Sequence, residues 1–130
     1  MTSTLVISGD KKKLDAYVND IVRRYKSADV FWLLNDQTIG VKDVVEFLEH
    51  AHLSPVGDKK LMIINDFACV TPQAQNKMLK TIEDAPGKTD FLFLATTIEP
   101  VLNTIKSRCV TTYLPIKSGA PLVPADVIKT

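Results

Sequence analysis

Four short stretches hold the residues best suited to chemistry: Ser8-Gly9-Asp10-Lys11-Lys12-Lys13, Asn65-Asp66, Thr96-Thr97 and Ser107-Arg108-Cys109. A glycine followed by lysines is the raw material of a phosphate-binding loop, where backbone amides close on the anion and a lysine reaches its outer oxygens. Such a loop needs the pattern G-x-x-x-x-G-K-[ST]. Residues 8–13 have one glycine, no second one, and no Lys-Ser or Lys-Thr pair. Asp10 would also repel a phosphate, so the three lysines read as a solvated helix start and no nucleotide is expected to bind here. Asn65-Asp66 follows an apolar run, where a nucleoside triphosphatase needs two carboxylates, one for magnesium and one to orient the attacking water. An amide is a poor substitute for a carboxylate at a hard cation. Both halves of the hydrolytic apparatus are degraded in the same chain, which is more informative than either loss alone.

Metal chemistry has little to work with. Cys69 and Cys109 do not form a C-x-x-C pair, and His50 and His52 lie two apart, on different faces if that stretch is helical. The thiols read as buried or partly buried and reduced, and no metal is expected.

The elements that must position these residues alternate regularly. Thr4–Ser8, Asp29–Leu34, Lys60–Ile64, Phe91–Ala95 and Cys109–Tyr113 read as strands. Between them, Leu14, Val18, Ile21, Val22 and Tyr25 form one apolar stripe, and Val41, Val44, Val45, Leu48 and Ala51 a second. Thr71-Pro72 opens a third helix with a hydroxyl cap and a proline that needs no amide partner, and Ala74, Met78, Ile82 and Ala85 make its stripe, with Leu79 on the flank. Gln75, Lys77 and Lys80 are assigned to that helix's polar side, facing solvent, a partner or DNA phosphates. Pro100–Lys106 is a short fourth helix. The order predicts an α/β three-layer sandwich with a five-stranded parallel sheet, whose sites lie at the carboxyl ends of the strands. Gly9-Asp10, Asn35-Asp36, Asn65-Asp66 and Thr96-Thr97 occupy those ends.

Composition narrows the classes further. The chain has 130 residues, 45% hydrophobic and 24% charged, which suits one compact domain. Sixteen basic against fifteen acidic residues leave a charge of +1, so no overall field draws it to nucleic acid or an anionic membrane. The apolar runs at 61–64 and 91–95 are far short of the ~20 residues that cross a bilayer. The N-terminus has its lysines after the apolar stretch and no small-residue cleavage site, unlike a signal peptide, so a cytoplasmic location is expected.

Residues 60–109 resemble the AAA+ module of bacterial replicative clamp loaders. Asn76–Glu83 with Asp84-Ala85-Pro86 is similar to the family's N-A-L-L-K-T-L-E-E-P-P, Leu94–Thr97 with Glu99-Pro100 to its sensor segment, and Thr104–Cys109 to T-I-x-S-R-C. The resemblance implies a P-loop NTPase-like fold with a degenerate Walker A at Gly9, Asp10 and Lys11 and a degenerate Walker B at Asn65 and Asp66. Thr96 and Thr97 become sensor-like relics that cap a strand end, and no cofactor is expected. Those losses resemble the delta-prime subunit rather than the ATP-binding gamma/tau subunits. The resemblance makes Arg108, within Ser107-Arg108-Cys109, an arginine finger offered in trans to ATP on a neighbour. It implies gamma/tau and delta subunits and the sliding clamp as partners, and DNA contact only within the assembly. Asn103 stands where proline is common and Ala85 replaces an acidic residue or proline; two cysteines cannot form the four-cysteine zinc module of many relatives. Residues 1–114 are expected to form the α/β domain and 115–130 a linker or the start of a truncated lid, in an excised domain or a reduced protein.

A second reading comes from another class. A phosphoacceptor receiver domain has similar length and alternation, with Asp66 as acceptor, Asp10 on magnesium, and Thr96 and Lys117 after the fourth and fifth strands. It would need an acidic pair where Asp10 stands alone. A self-sufficient ATPase is the weakest alternative.

Overall fold

The computed structural model describes residues 3–34, 37–84 and 87–115. Lys117 and the proposed linker or lid segment from 116 onward lie outside them, as do Asn35, Asp36, Ala85 and Pro86. Five strands form one parallel sheet: β1 (Ser3–Ile7), β2 (Val30–Leu33), β3 (Lys60–Ile64), β4 (Thr89–Ala95) and β5 (Val110–Tyr113), in the spatial order β2-β3-β4-β1-β5. Among the described residues, four α-helices connect them: α1 (Lys11–Val22), α2 (Val41–Glu49), α3 (Pro72–Glu83) and α4 (Asn103–Lys106).

This strand order dictates the layers. The chain runs from β1 back across the sheet to β2, then forward through β3 and β4 to β5. Right-handed crossovers therefore place α1 on one face and α2, α3 and α4 on the other. The side chains divide accordingly. Val6, Leu61, Ile63, Leu92 and Leu94 pack with Leu14, Val18 and Ile21 of α1. The alternate strand residues Leu5, Ile7, Met62, Ile64, Phe91 and Phe93 pack with Val44, Phe47, Met78, Ile82 and Ile105 from the other three helices. The three-layer parallel sandwich expected from the sequence is what the chain forms.

Local rules set most boundaries. Thr71 Oγ1 accepts from the Ala74 amide at 3.1 Å and Pro72 takes the first helical position of α3. β4 begins two residues earlier than its apolar run, because Thr89 and Asp90 pair in register with Lys60 and Leu61. Their polar side chains are buried and satisfied: Thr89 Oγ1 donates to Ala51 O at 3.0 Å, while Asp90 accepts from Tyr25 Oη at 2.6 Å and Lys59 Nζ at 3.2 Å. The fourth helix is shorter than read, since only Asn103–Lys106 is helical.

The strand order also removes the receiver reading. That architecture places the first and third strands side by side. Here β4 lies between β1 and β3, so Asp10 and Asp66 follow strands about 9–10 Å apart across the sheet.

Candidate functional site

The strand-end crevice follows from the topology. α1 leaves β1 on one face and α4 follows β4 on the other, so the switch point lies between the adjacent carboxyl ends of β1 and β4. Ile7 pairs with Ala95 in register, and Ser8 N donates to Ala95 O at 3.1 Å, which brings Gly9-Asp10 level with Thr96-Thr97. β3 ends alongside, with Ile64 opposite Phe93, and delivers Asn65 and Asp66 to the same rim. Gly9-Asp10, Asn65-Asp66 and Thr96-Thr97, the residues expected as degenerate Walker A, degenerate Walker B and sensor-like positions, are thus brought to one end of the sheet.

Their chemistry there is mostly self-directed. Asp10 caps α1, its Oδ1 accepting from the Lys12 amide at 2.9 Å, and the Ser8 hydroxyl accepts from the Asp10 amide at 3.1 Å. A carboxylate of the chain itself occupies the position where a phosphate would meet the helix amides. Lys11 and Lys12 are exposed, as a solvated helix start requires. Asp66 Oδ2 accepts from Cys69 Sγ at 3.3 Å. Burial and this bond both push the Cys69 thiol up, while Lys11 across the crevice works against the rise. Asn65 Oδ1 and Asp66 Oδ1 are buried without a protein partner. Thr96 and Thr97 are exposed, and the Thr97 hydroxyl accepts from the Glu99 amide at 3.3 Å, so it caps the following turn rather than the strand.

Ser107-Arg108-Cys109 stands at the opposite end of the sheet. All strands are parallel, and Arg108 precedes β5, whose first residue, Val110, pairs with Thr4 near the start of β1. Arg108 Nε and Nη2 both donate to Glu83 Oε2 at the end of α3. Its Nη1 donates to Thr104 O at 3.2 Å and Ser107 Oγ at 3.3 Å. Cys109 lies largely inside, and burial pushes its thiol up to about 11. α3 starts beside the crevice and ends at Arg108, so its 12 residues separate the two by about 18 Å. The arginine is far beyond reach of its own chain's crevice.

Gln75 requires a correction. It is fully buried, not on the polar side of α3. Its Nε2 donates to Val70 O at 3.0 Å and Pro100 O at 2.9 Å, and its Oε1 accepts from the Leu102 amide at 2.8 Å. Gln75 therefore ties α3 to the loop leading into α4, the helix that precedes the Arg108 turn. Lys77 and Lys80 do face outward, with Lys80 paired to Asp84 at 3.3 Å. A concavity of about 830 Å³ is lined by Arg23, Arg24, Lys26, Lys59 and Asp90, and by no residue of these stretches. Among the described residues, no group of three or more His, Cys, Asp or Glu side chains is arranged to hold a metal ion, and no helix is long and apolar enough to cross a membrane.

The family model for the DNA polymerase III delta subunit matches residues 8–117, from the Ser8-Gly9 turn through Ser107-Arg108-Cys109. The chain belongs to the DNA polymerase III delta subunit family. Among curated members and relatives, DNA polymerase III subunit delta-prime of Escherichia coli (strain K12) is 40% identical over 75 residues, 57% of this chain and 22% of that protein. DNA polymerase III subunit gamma/tau of Mycoplasma pneumoniae is 34% identical over 82 residues, 62% of this chain and 12% of its own length. This chain therefore aligns with about a fifth or less of those two relatives. The fold is shared with a DNA polymerase III gamma subunit-related protein of Thermotoga maritima at a TM-score of 0.77 and 23% identity, over 90% of this chain and 42% of that one. The Bacillus subtilis DNA clamp loader delta protein superposes with a TM-score of 0.65 at 14% identity, over 88% of this chain and 38% of its own. The clamp-loader resemblance of residues 60–109 and this delta subunit family match agree.

Proposed function

We propose that this chain is a delta-prime-like, non-hydrolysing AAA+ subunit of the DNA polymerase III clamp loader, acting in the cytoplasm. It assembles with gamma/tau and delta subunits, helps place the sliding clamp on DNA, and meets DNA only inside that assembly. It holds no nucleotide of its own, because Asp10 caps the helix where a phosphate would sit and Asn65 replaces a magnesium-binding carboxylate. Its part in catalysis is Arg108, supplied to ATP on the neighbouring subunit.

The observation that carries this reading is the position of Arg108. It lies at the surface, about 18 Å from its own crevice along α3, on the turn that feeds an edge strand. An arginine there can act on a phosphate only if another chain brings it. In the neighbour's site, water attacks the terminal phosphorus as the bond to the ADP oxygen breaks, and a permanently charged guanidinium neutralises charge on the transferring group.

Two measurements test the proposal. Calorimetry of the chain with magnesium-ATP is expected to show no binding, and micromolar affinity would overturn the non-hydrolysing assignment. In the assembled loader, Arg108→Ala is expected to lower hydrolysis at the adjoining site by about a thousandfold with the assembly intact, and an unchanged rate would refute the arginine-finger role.

A further inference from the structure

We propose that Glu83 is a positioning residue for Arg108, fixing one edge of its guanidinium so that the other edge faces an incoming phosphate. The inference rests on the reading of Arg108 as an arginine finger and adds a residue to it.

Glu83 is the last residue of α3, a helix capped at its start by Thr71 and held to the core by Ala74, Met78 and Ile82. Its carboxylate therefore extends from a rigid element. Arg108 stands on the short turn after α4, where its own side chain is exposed between the buried Ile105 and the partly buried Cys109. Glu83 Oε2 takes both Nε and Nη2, the side-on edge of the guanidinium. The remaining contacts, from Nη1 to Thr104 O at 3.2 Å and to Ser107 Oγ at 3.3 Å, are long and exposed. Phosphate oxygens from a neighbouring subunit can displace them without disturbing the Glu83 edge.

Two effects of Glu83 oppose each other. It immobilises a flexible side chain, which favours catalysis, and it offsets part of the positive charge, which does not. The side chains are 36% and 43% exposed, so water weakens the charge effect on a phosphate beyond the pair, while two N–H groups converging on one carboxylate oxygen in direct contact still set the direction of the guanidinium. Orientation prevails, and removing the carboxylate is expected to slow hydrolysis.

The test uses the complete clamp loader, with hydrolysis read at the site facing Arg108 and the other ATPase sites silenced. Glu83→Gln is expected to lower the rate roughly three- to tenfold, and Glu83→Asp to restore part of it. In an Arg108→Ala background, Glu83→Gln is expected to change nothing more, because both act through one guanidinium. A full rate in Glu83→Gln, or the same fractional loss with and without Arg108, overturns the positioning role while leaving the arginine finger standing. An unchanged rate in Arg108→Ala alone overturns the finger, and the role of Glu83 with it.

Discussion

Replacing Gln75 tests whether hydrogen bonding or volume holds α4 in place. The side chain is fully buried and makes three hydrogen bonds to backbone: two donated, to Val70 O and Pro100 O, and one accepted from the Leu102 amide. In Gln75→Leu the volume is largely kept and all three partners lose their bond. A buried backbone group left unpaired costs about 1–3 kcal/mol. The Leu102 amide, on a half-buried residue, has a single hydrogen and bears most of the penalty, whereas each carbonyl keeps a second lone pair and bears less. The total is about 3–5 kcal/mol, a large part of the ~5–15 kcal/mol that stabilises a typical domain. With a urea m-value of about 2 kcal/mol/M, the unfolding midpoint falls by about 1.5–2.5 M at unchanged slope. Gln75→Ala is expected to lose slightly more, for the added cavity. Gln75→Glu places a carboxylate against two carbonyls at neutral pH and regains one donor on protonation, so acid narrows its deficit. A Gln75→Leu midpoint within about 0.5 M of the wild type would refute the assignment of this stability to hydrogen bonds.

Two further predictions concern titrating groups. Asp29 is buried and accepts from the Val56 and Gly57 amides at 2.7 Å each; the Val56 bond foremost holds its carboxyl below the usual range against the opposing effect of burial, with Gly57, Lys60 and Lys26 adding to the lowering. Its stabilisation is present above the unfolded pKa near ~3.9 and is lost as pH falls through the folded value, so Asp29→Asn should flatten the acid limb of a midpoint-against-pH curve; an unchanged limb would contradict this. Burial pushes Cys109 up to about 11, which at pH 8 leaves roughly two orders of magnitude less thiolate than in a free cysteine, so iodoacetamide should label it correspondingly slowly until the chain unfolds. Labelling at the rate of a free thiol would show that Cys109 is not sheltered.

Where the sequence was legible, residue type and residue position agreed. Lys60–Ile64 is a continuous apolar run after one lysine and forms β3 over the same span. Thr71-Pro72 opens α3 where a cap and a proline belong. The crevice residues were legible as strand ends, because a parallel alternation leaves them nowhere else to go. Where type and position disagreed, position decided. Gln75 is polar, yet it lies three, four and seven residues before Met78, Leu79 and Ile82, the spacing of one helical face. That spacing was the available signal for its burial. Thr89 and Asp90 likewise hid the first third of β4, because their tertiary partners, Ala51, Tyr25 and Lys59, are distant in sequence. The Glu83–Arg108 pair spans 25 residues and has no local signature at all.

The two ends of the sheet carry different obligations, and this explains which residues the chain can lose. The crevice is made by topology: once β1 and β4 are neighbours with helices leaving on opposite faces, a cleft exists whatever side chains line it. The fold does not depend on any particular chemistry there, and Asp10 serves as the cap of α1. Arg108 has no such fallback in the core. Its partners are exposed, and an ion pair between exposed groups adds at most about 1 kcal/mol. Folding alone gives little reason for an arginine with a dedicated carboxylate at that turn. The proposed role of Arg108 toward a second subunit's phosphate supplies one, and under that proposal Gln75 and Glu83 hold the loop before α4 and the turn after it from the same helix, α3.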